Sequence, residues 1–172
     1  METGKITTSS MAPIALRYRA DAGAIERVSR SESSLTHHDP LAGDACALFN
    51  LTIAALLFGR RPPESSSAAG AVAAEAPTLT AEQVLDPVQR QIGFVLTTLR
   101  VAFWAAMRAD SFEQAVVEAA NLGGDADTNA AVTGALAGAR FGANAIPQRW
   151  LEPLIAREHI SGLAVRLLRE RP

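Results

Sequence analysis

Apolar residues recur every three or four positions along most of this chain, and no stretch alternates apolar and polar residues with a period of two. An α-helix has about 3.6 residues per turn, so the first pattern places apolar side chains on one helix face. A half-buried strand would need the second pattern. We therefore predict an all-α protein whose helices pack through their apolar faces.

Capping residues indicate where the first helices begin and end. An amphipathic pattern predicts a helix around residues 22–28. Asp39 and Pro40 predict the start of a second helix, because aspartate caps free backbone N–H groups and proline fits the first helical position. This second helix is predicted to extend to Phe58 and to end at Gly59.

The second half of the chain has the most apolar pattern. Residues 94–107 are apolar on almost every side of a helix, which predicts a helix buried in the core. Ser111 and Gln114 have the spacing of a capping box, which satisfies two otherwise unpaired groups at a helix start. Three further helices are predicted: residues 125–140, a helix from Pro147 onward, and residues 159–169.

One segment lacks a periodic apolar pattern. Residues 60–81 are rich in proline, serine, alanine and glycine, which predicts a flexible, solvated loop. The whole chain of 172 residues fits one domain, since domains typically hold about 100–200 residues. We predict a single domain over residues 1–172 that includes this loop.

Charge and cysteine content exclude several classes of function. The chain has 16 lysine and arginine residues against 18 aspartate and glutamate residues, so it has no basic field that would attract nucleic acid. Cys46 is the only cysteine, which excludes an intrachain disulfide and a multi-cysteine zinc site and is compatible with a reducing compartment.

No signal-peptide pattern opens the chain, and the apolar run 51–58 is far shorter than the roughly 20 residues that span a bilayer. We expect a cytoplasmic protein without a nucleic-acid or membrane partner.

The run NLGGDADTN in the last third of the chain is the most informative for chemistry. Its two glycines, Gly123 and Gly124, allow positive φ angles and the close approach of a ligand. Asp125, Asp127 and Thr128 together offer five side-chain oxygens within four residues. Such oxygens suit a hard cation, Mg²⁺, Mn²⁺ or Ca²⁺, better than zinc or copper.

Two other interpretations of the same residues compete with cation binding. Aspartate in a first helical turn caps free N–H groups and complements the helix dipole, so Asp125 and Asp127 could serve the helix alone. The pattern leaves capping and cation binding both open. The spacing of Asp125, Asp127 and Asn129 also matches the start of an EF-hand loop. That motif is excluded, because Ala130 stands where glycine is needed and Leu136 where glutamate is needed.

Two histidines and two serines are weaker candidates. His37 and His38 lie beside Asp39 at a predicted helix start, where they could contact a ligand or titrate near neutral pH. Histidine pairs also occur as surface or capping residues, so the sequence leaves both roles open. Ser9 and Ser10 have no base or acid nearby in the sequence, which argues against a serine nucleophile.

Several of these segments resemble one known family. Residues 121–147, NLGGDADTNAAVTGALAGARFGANAIP, closely resemble the C-terminal signature of the ADP-ribosylglycohydrolases, which include dinitrogenase-reductase-activating glycohydrolases. The resemblance extends upstream over residues 93–120 and downstream through Trp150 and Leu151. Shorter segments resemble the family's threonine-histidine helix region (LTH at 35–37 and DAC at 44–46) and its Gly-Ser-x-Met-Arg loop (SSM at 9–11).

The resemblance implies an all-α hydrolase that removes ADP-ribose from modified protein side chains with a pair of Mg²⁺ or Mn²⁺ ions. Its partner would be an ADP-ribosylated protein or ADP-ribose. The cations would orient ribose hydroxyls, activate a water and offset charge as the C1″ glycosidic bond breaks. The resemblance assigns metal binding to Asp125, Asp127 and Thr128, the distal ribose to Gly123 and Gly124, the diphosphate region to Ser9, Ser10 and Met11, and the nucleotide to His37.

The chain departs from the family pattern in its first half. Family members carry a Thr-Asp-Asp triplet with the other metal ligands and an acidic residue in a Gly-Asp-containing first helix, and neither occurs here. Ala12 follows Met11 where the family loop has arginine. We expect an N-terminally truncated, C-terminal portion of the fold with a weak metal site and no acidic catalytic partner in the chain. Core helices such as residues 94–107 would then be left exposed.

Three interpretations of such a chain remain open from its sequence. The first is a hydrolase of this family whose activity by itself is limited by the absent ligands. The second is a non-catalytic member that binds ADP-ribose or has a crystallin-like structural role. The third is a part that folds only with a complementing chain or as a homo-oligomer.

Overall fold

The structure is a computed structural model that describes residues 8–84 and 95–169, with side chains from Ala12 onward in the first helix. Every regular element in these ranges is helical, which confirms the predicted all-α class. The α-helices are α1 (Thr8–Tyr18), α2 (Ala22–Ser34), α3 (Pro40–Leu57), α4 (Ala68–Glu75), α5 (Ala81–Val84), α6 (Val95–Arg108), α7 (Phe112–Asn121), α8 (Ala126–Phe141), α9 (Gln148–Leu151) and α10 (Arg157–Arg169). Two 3₁₀ turns lie at Ala76–Thr78 and Ala143–Ala145.

Aspartate side chains begin α2 and α3. Asp21 Oδ1 accepts a hydrogen bond from the N–H of Ala24 at 2.9 Å, and Asp39 Oδ1 accepts one from the N–H of Leu41 at 2.9 Å. Each bond satisfies one of the N–H groups that a helix start leaves without a partner. The predicted helix start at Asp39 and Pro40 is confirmed.

α2 and α3 pack against each other as an antiparallel hairpin. Asn50 Nδ2 donates a buried hydrogen bond to Ser29 Oγ at 2.9 Å across the hairpin. Nearer the connecting turn, Arg30 forms an ion pair with Asp44. The two contacts fix the register of the helices and place the turn that carries His37 at one end of the hairpin.

α6 is the central helix of the core. Ten of its 14 residues are buried, and it packs against α3, α4, α7 and α8. The prediction of a buried helix over residues 94–107 is therefore confirmed from Val95 onward. The expectation that this helix would be exposed is wrong, because the four neighbouring helices cover its apolar side chains.

The exposed apolar side chains lie mainly at the C-terminal end of the described chain. α10 packs mainly against α1, and none of its 13 residues is buried. The large apolar residues exposed in this region are Leu154, Ile155, Ile160, Leu163, Val165 and Leu168. Most of the exposed large apolar residues in the described part of the chain therefore belong to the last helix and the turn before it.

Small residues let α7 and α8 approach each other closely. A Cβ atom built on Gly134 would lie 3.7 Å from Val116 Cγ2, and one on Gly138 would lie 3.9 Å from Phe112 Cε2. Both distances are ordinary van der Waals contacts, so the backbone of α8 lies directly against side chains of α7. This packing fixes where the first turn of α8 lies relative to the end of α7.

Arg140 ties the other end of α8 to the core. Its Nη1 donates to the carbonyl oxygens of Ala106 at 2.7 Å and of Ala109 at 2.9 Å. These carbonyls lie at the C-terminal end of α6, where no later N–H group of the helix can reach them. The guanidinium also lies over the ring of Phe141, 4.6 Å from its centroid. These contacts anchor the C-terminal end of α8 to the core.

The predicted loop over residues 60–81 is only partly correct. Residues 60–67 contain no helix, but α4 and the 3₁₀ turn after it occupy residues 68–78. Ser67 Oγ accepts the N–H of Gly70 at 3.1 Å and caps α4. Alanine-rich segments give little contrast between apolar and polar faces, so the pattern could not reveal this helix. Its packing against α6 stabilises it instead.

One helix in the described part of the chain, α3, is long and apolar enough to cross a membrane by length and composition alone. It has 18 residues with a mean hydropathy of 1.6, and 61% of them are buried inside the protein. Core helices of globular proteins pass the same test, so the length of α3 is weak evidence for a membrane span.

Substitution of Gly70 tests the close contact between α4 and the segment that precedes it. A Cβ atom at Gly70 would lie 2.1 Å from the carbonyl oxygen of Ser65, so Gly70→Ala should lower the free energy of unfolding by about 1–3 kcal/mol. Gly134→Ala is the matched control, because its Cβ has room and alanine favours a helix interior by up to about 1 kcal/mol. Urea denaturation measures both. Equal stability of the two variants would contradict the close contact between α4 and the carbonyl of Ser65.

Candidate functional site

A turn with two consecutive glycines joins α7 to α8. Gly123 has φ +80° and Gly124 has φ +68°, a left-handed conformation that only glycine adopts without strain. The N–H of Gly123 donates to the carbonyl of Ala120 at 3.2 Å and ends α7. An ideal Cβ atom at either glycine would meet no atom within 4 Å, so the turn presents open backbone.

The backbone carbonyl of Asp125 accepts the first hydrogen bond of α8, but the Asp125 side chain does not cap the helix. The carbonyl of Asp125 accepts the N–H of Asn129 at 2.9 Å, the first bond of the helix. Its carboxylate caps no backbone N–H group, unlike those of Asp21 and Asp39. Asp125 Oδ1 instead accepts a hydrogen bond from Thr128 Oγ1 at 3.0 Å. The capping interpretation is therefore wrong for the Asp125 side chain, which keeps further oxygen lone pairs available.

Asp127 is exposed in the first turn of α8. The pKa of its carboxyl is lowered, first by a hydrogen bond from the N–H of Thr128, then by the Asp125 side chain and its own N–H. Asp127 is therefore ionised at neutral pH, and its charge complements the positive end of the helix dipole. Helix stabilisation thus falls to Asp127, and the side chain of Asp125 lies between those of Asp127 and Thr128 as a partner of both.

The donor atoms in this turn fit a hard divalent cation as part of a coordination shell. Asp125, Asp127 and Thr128 bring two carboxylates and one hydroxyl into one helical turn, linked by the contacts above. Mg²⁺ prefers six oxygen ligands and often keeps several waters, so three residues supply part of its shell. Among the described residues, no group of three or more His, Cys, Asp or Glu side chains comes together. The metal site at these residues therefore stays a prediction.

The segment with Ser9, Ser10 and Met11 is helical, where a loop was predicted. These three residues lie in the first turn of α1, which continues through Pro13. Their side chains lie outside the described residues, so their proposed contacts with a diphosphate stay predictions. α1 packs against α3 and α8, the helix that carries the aspartates.

His37 lies in the turn after α2. Its N–H donates to the carbonyl of Ser33 at 2.8 Å, and its Nδ1 lies 2.9 Å from Thr36 Oγ1. Both partners belong to the same turn, so these contacts fix the backbone and the ring locally. The role of His37 near a nucleotide stays a prediction.

Sequence reasoning missed one polar residue beside the turn. Asn129 is 2% exposed, and its Oδ1 has no hydrogen-bond partner. Its position four residues after Asp125 was a usable signal, because residues at this spacing share one helix face. An asparagine on the buried face of a helix rich in alanine and glycine needs an explanation.

Alanine substitutions test the strained backbone of the turn. Gly123→Ala and Gly124→Ala should each lower the free energy of unfolding by about 1–2 kcal/mol, because their positive φ disfavours any Cβ atom. Gly162→Ala is the control, since that glycine lies inside α10 with open space and no positive φ. Thermal unfolding measures all three, and a cost at Gly162 equal to that at the turn would refute the explanation.

Removal of one hydroxyl tests the contact that orients Asp125. Thr128→Val deletes the donor to Asp125 Oδ1 and should cost about 1 kcal/mol of stability. The loss stays this small because water can hydrate the carboxylate that loses its partner. Thr128→Ser keeps the hydroxyl and should retain most of the stability. Urea denaturation compares the two variants, and a larger loss in Thr128→Ser than in Thr128→Val would show that the methyl group of Thr128, rather than its hydroxyl, matters.

Comparisons with known proteins agree with the resemblance. The model of the ADP-ribosylglycohydrolase family matches residues 3–172. An ADP-ribosylarginine hydrolase Tri1 from Pseudomonas putida is 32% identical over 94% of this chain and 45% of its own length. Another Tri1 hydrolase, from Serratia proteamaculans, is 47% identical over 48% of this chain and 23% of its own length. The ADP-ribosyl-[dinitrogen reductase] glycohydrolase of Rhodospirillum rubrum is 27% identical over 83% of the chain and 47% of its own length.

A solved structure extends the agreement to the fold. A protein described as an ADP-ribosylglycohydrolase-related protein complex superposes with a TM-score of 0.70 at 32% identity, over 91% of this chain and 56% of the other. The chain thus spans about half the length, or less, of the curated relatives named above. With its family model, its relatives and its fold in agreement, the chain belongs to the ADP-ribosylglycohydrolase family.

Proposed function

We propose that this chain forms the cation-binding and ribose-binding part of a hydrolase that removes ADP-ribose from modified arginine side chains. The observation that carries the proposal is the first turn of α8, where the Asp125 carboxylate is held by Thr128 instead of capping the helix. A carboxylate used only for capping would bond to backbone N–H groups, as Asp21 and Asp39 do.

The substrate class in this proposal comes from the relatives. Two of them are named as ADP-ribosylarginine hydrolases, and a third as a glycohydrolase of ADP-ribosylated dinitrogen reductase. An ADP-ribosylated protein is therefore the partner we propose. We also propose a cytoplasmic location, with which the single cysteine is compatible. Because the chain spans only part of these relatives, we propose that turnover by this chain alone is slow, for want of the remaining cation ligands.

The proposal assigns a role to each of these residues of the turn. Asp125, Asp127 and Thr128 would hold Mg²⁺ or Mn²⁺, which supplies Lewis-acid activation of water and offsets charge when the C1″ glycosidic bond breaks. Thr128 orients Asp125 by its hydrogen bond. Gly123 and Gly124 leave room for a ribose at the open backbone of the turn. Ser9, Ser10, Met11 and His37 are proposed to contact the diphosphate and the nucleotide.

A second candidate is binding of ADP-ribose without hydrolysis. One observation favours it: among residues 8–84 and 95–169, no third acidic or histidine side chain joins Asp125 and Asp127. Hydrolysis needs a complete cation shell and a group that accepts a proton, whereas binding of a ribose against glycine backbone needs neither.

Turnover of an ADP-ribosylated arginine peptide by the full chain tests the first candidate. We expect release of ADP-ribose that requires Mg²⁺ or Mn²⁺. Asp125→Asn should lower the rate by at least the roughly 10–100-fold that loss of an outer-shell partner costs a metal site. Asp110→Asn is the control, because Asp110 is an exposed aspartate outside the turn. Metal-independent turnover, or an unchanged rate in Asp125→Asn, would contradict the proposed site.

Calorimetric titration with ADP-ribose separates the two candidates. Binding that Mn²⁺ strengthens, together with turnover, supports the hydrolase. Binding without turnover supports the non-catalytic member. The absence of binding with or without Mn²⁺ would refute both candidates for this chain.

A further inference from the structure

Four large apolar side chains are exposed between α9 and the middle of α10. Ile155 is 88% exposed, and the others are 43–50% exposed: Leu154, Ile160 and Leu163. The second half of α10 is the half that packs on α1, because its half-buried residues are Ala164 and Leu167. The first half therefore leaves its apolar side chains in solvent. Monomeric proteins rarely expose such a group, so we treat residues 151–163, the C-terminal patch, as an interaction surface.

The C-terminal patch combines an exposed apolar side chain with a groove. The open groove has a volume of about 650 Å³, and its lining includes three apolar and three charged residues: Leu151, Leu154, Ala156, Glu152, Arg157 and Glu158. Ile155 lies between two of these residues in the chain and is not part of the lining. One patch thus carries both a side chain to insert and a groove to receive it. Two copies of such a surface can pair through a two-fold axis, because each copy then supplies both parts.

The charges of the groove favour a partner that also carries both signs. Glu152, Arg157 and Glu158 line the groove, and none of them forms an ion pair within residues 8–84 and 95–169. An acidic protein or an anionic membrane would bring negative charge against the two glutamates, and a basic partner would bring positive charge against Arg157. A second copy avoids both conflicts, because Arg157 of each copy can lie opposite a glutamate of the other.

The backbone of the patch is held in an unusual conformation. Among the described residues, Ala156 is the one non-glycine residue with a positive φ, +60°, and a Cβ atom makes this left-handed conformation unfavourable. The carbonyl of Ala156 accepts the N–H of Ile160 at 3.0 Å, so this angle sets the direction in which the chain enters α10. It therefore also sets where Ile155 lies relative to the groove. Strained backbone of this kind is found mainly where a surface binds a partner.

We propose that the C-terminal patch binds the same patch of a second copy of this chain in a two-fold dimer. Ile155 of each copy enters the groove of the other, and Arg157 of each copy faces the glutamates of the other. Stable interfaces contain about 20–30 residues on each side, and the patch has fewer. The dimer is therefore weak and reversible, and its population rises with protein concentration. This inference does not depend on the proposed cation site or on turnover.

Sedimentation velocity of the full chain over a range of concentrations tests the inference. The parent chain should change from monomer to dimer as its concentration rises. Ile155→Asp places a charge where an apolar side chain enters the groove, so it should raise the dimer dissociation constant at least about tenfold. Its fold should be unchanged, because Ile155 is exposed in the monomer. Leu35→Asp is the matched control, since Leu35 is 78% exposed in the turn after α2, and it should dimerise as the parent does.

Charge reversal tests which residues face each other in the dimer. Arg157→Glu makes the charged lining of the groove wholly acidic, and the double variant Glu152→Arg with Glu158→Arg makes it wholly basic. At low salt, each variant alone should dimerise at least about tenfold more weakly than the parent, because like charges then meet across the axis. An equimolar mixture of the two should form mixed dimers, since their grooves have opposite signs. Misfolding of either variant could not produce this recovery.

The remaining outcomes would overturn the inference. A parent chain that stays monomeric at every concentration would refute the dimer. Equal dimerisation of the parent and Ile155→Asp would place the interface on another surface. Loss of dimerisation in Leu35→Asp as well would show unspecific association of exposed apolar residues. A monomeric parent that sediments with anionic lipid vesicles, and an Ile155→Asp variant that does not, would assign the patch to a membrane surface instead.

Discussion

The close packing of α8 against α6 and α7 is the constraint on which the rest of the described structure depends. Glycines at 134 and 138 allow side chains of α7 to touch the backbone of α8, and Arg140 ties its far end to the last carbonyls of α6. With α8 fixed in this way, the chain has to reverse direction within a few residues after α7. Two glycines with positive φ make that reversal possible, and the aspartates follow directly in the sequence.

The sequence predicted those parts of the fold that depend on local chemistry. The aspartate at 39 and the serine at 111 marked true helix starts, because capping involves residues only a few positions apart. α4 was missed, since alanine and glycine give no pattern until the packing against α6 exists. The segment at 9–11 was expected to form a loop by resemblance, and Pro13, which lies inside α1, also gave no signal for a helix there.

In the candidate site as well, features set by neighbouring residues could be predicted, whereas features set by tertiary contacts could not. The glycine pair and the cluster of Asp125, Asp127 and Thr128 could be predicted from spacing, because all five residues lie in one turn. The different partners of the two carboxylates could not, since a side chain of an N-terminal residue can face either the backbone or its neighbours. The unpaired oxygen of Asn129 also emerges only when the interior packing is known.

The sparse packing of α10 has a consequence for how the chain loses its structure. This helix has no buried residue and rests mainly on α1, whereas α6, α7 and α8 share one continuous core. Regions with few buried apolar contacts open at a small fraction of the global unfolding free energy. We therefore expect α10 to detach at a lower free-energy cost than the core, so that the turn with the aspartates stays formed while the last helix opens and closes.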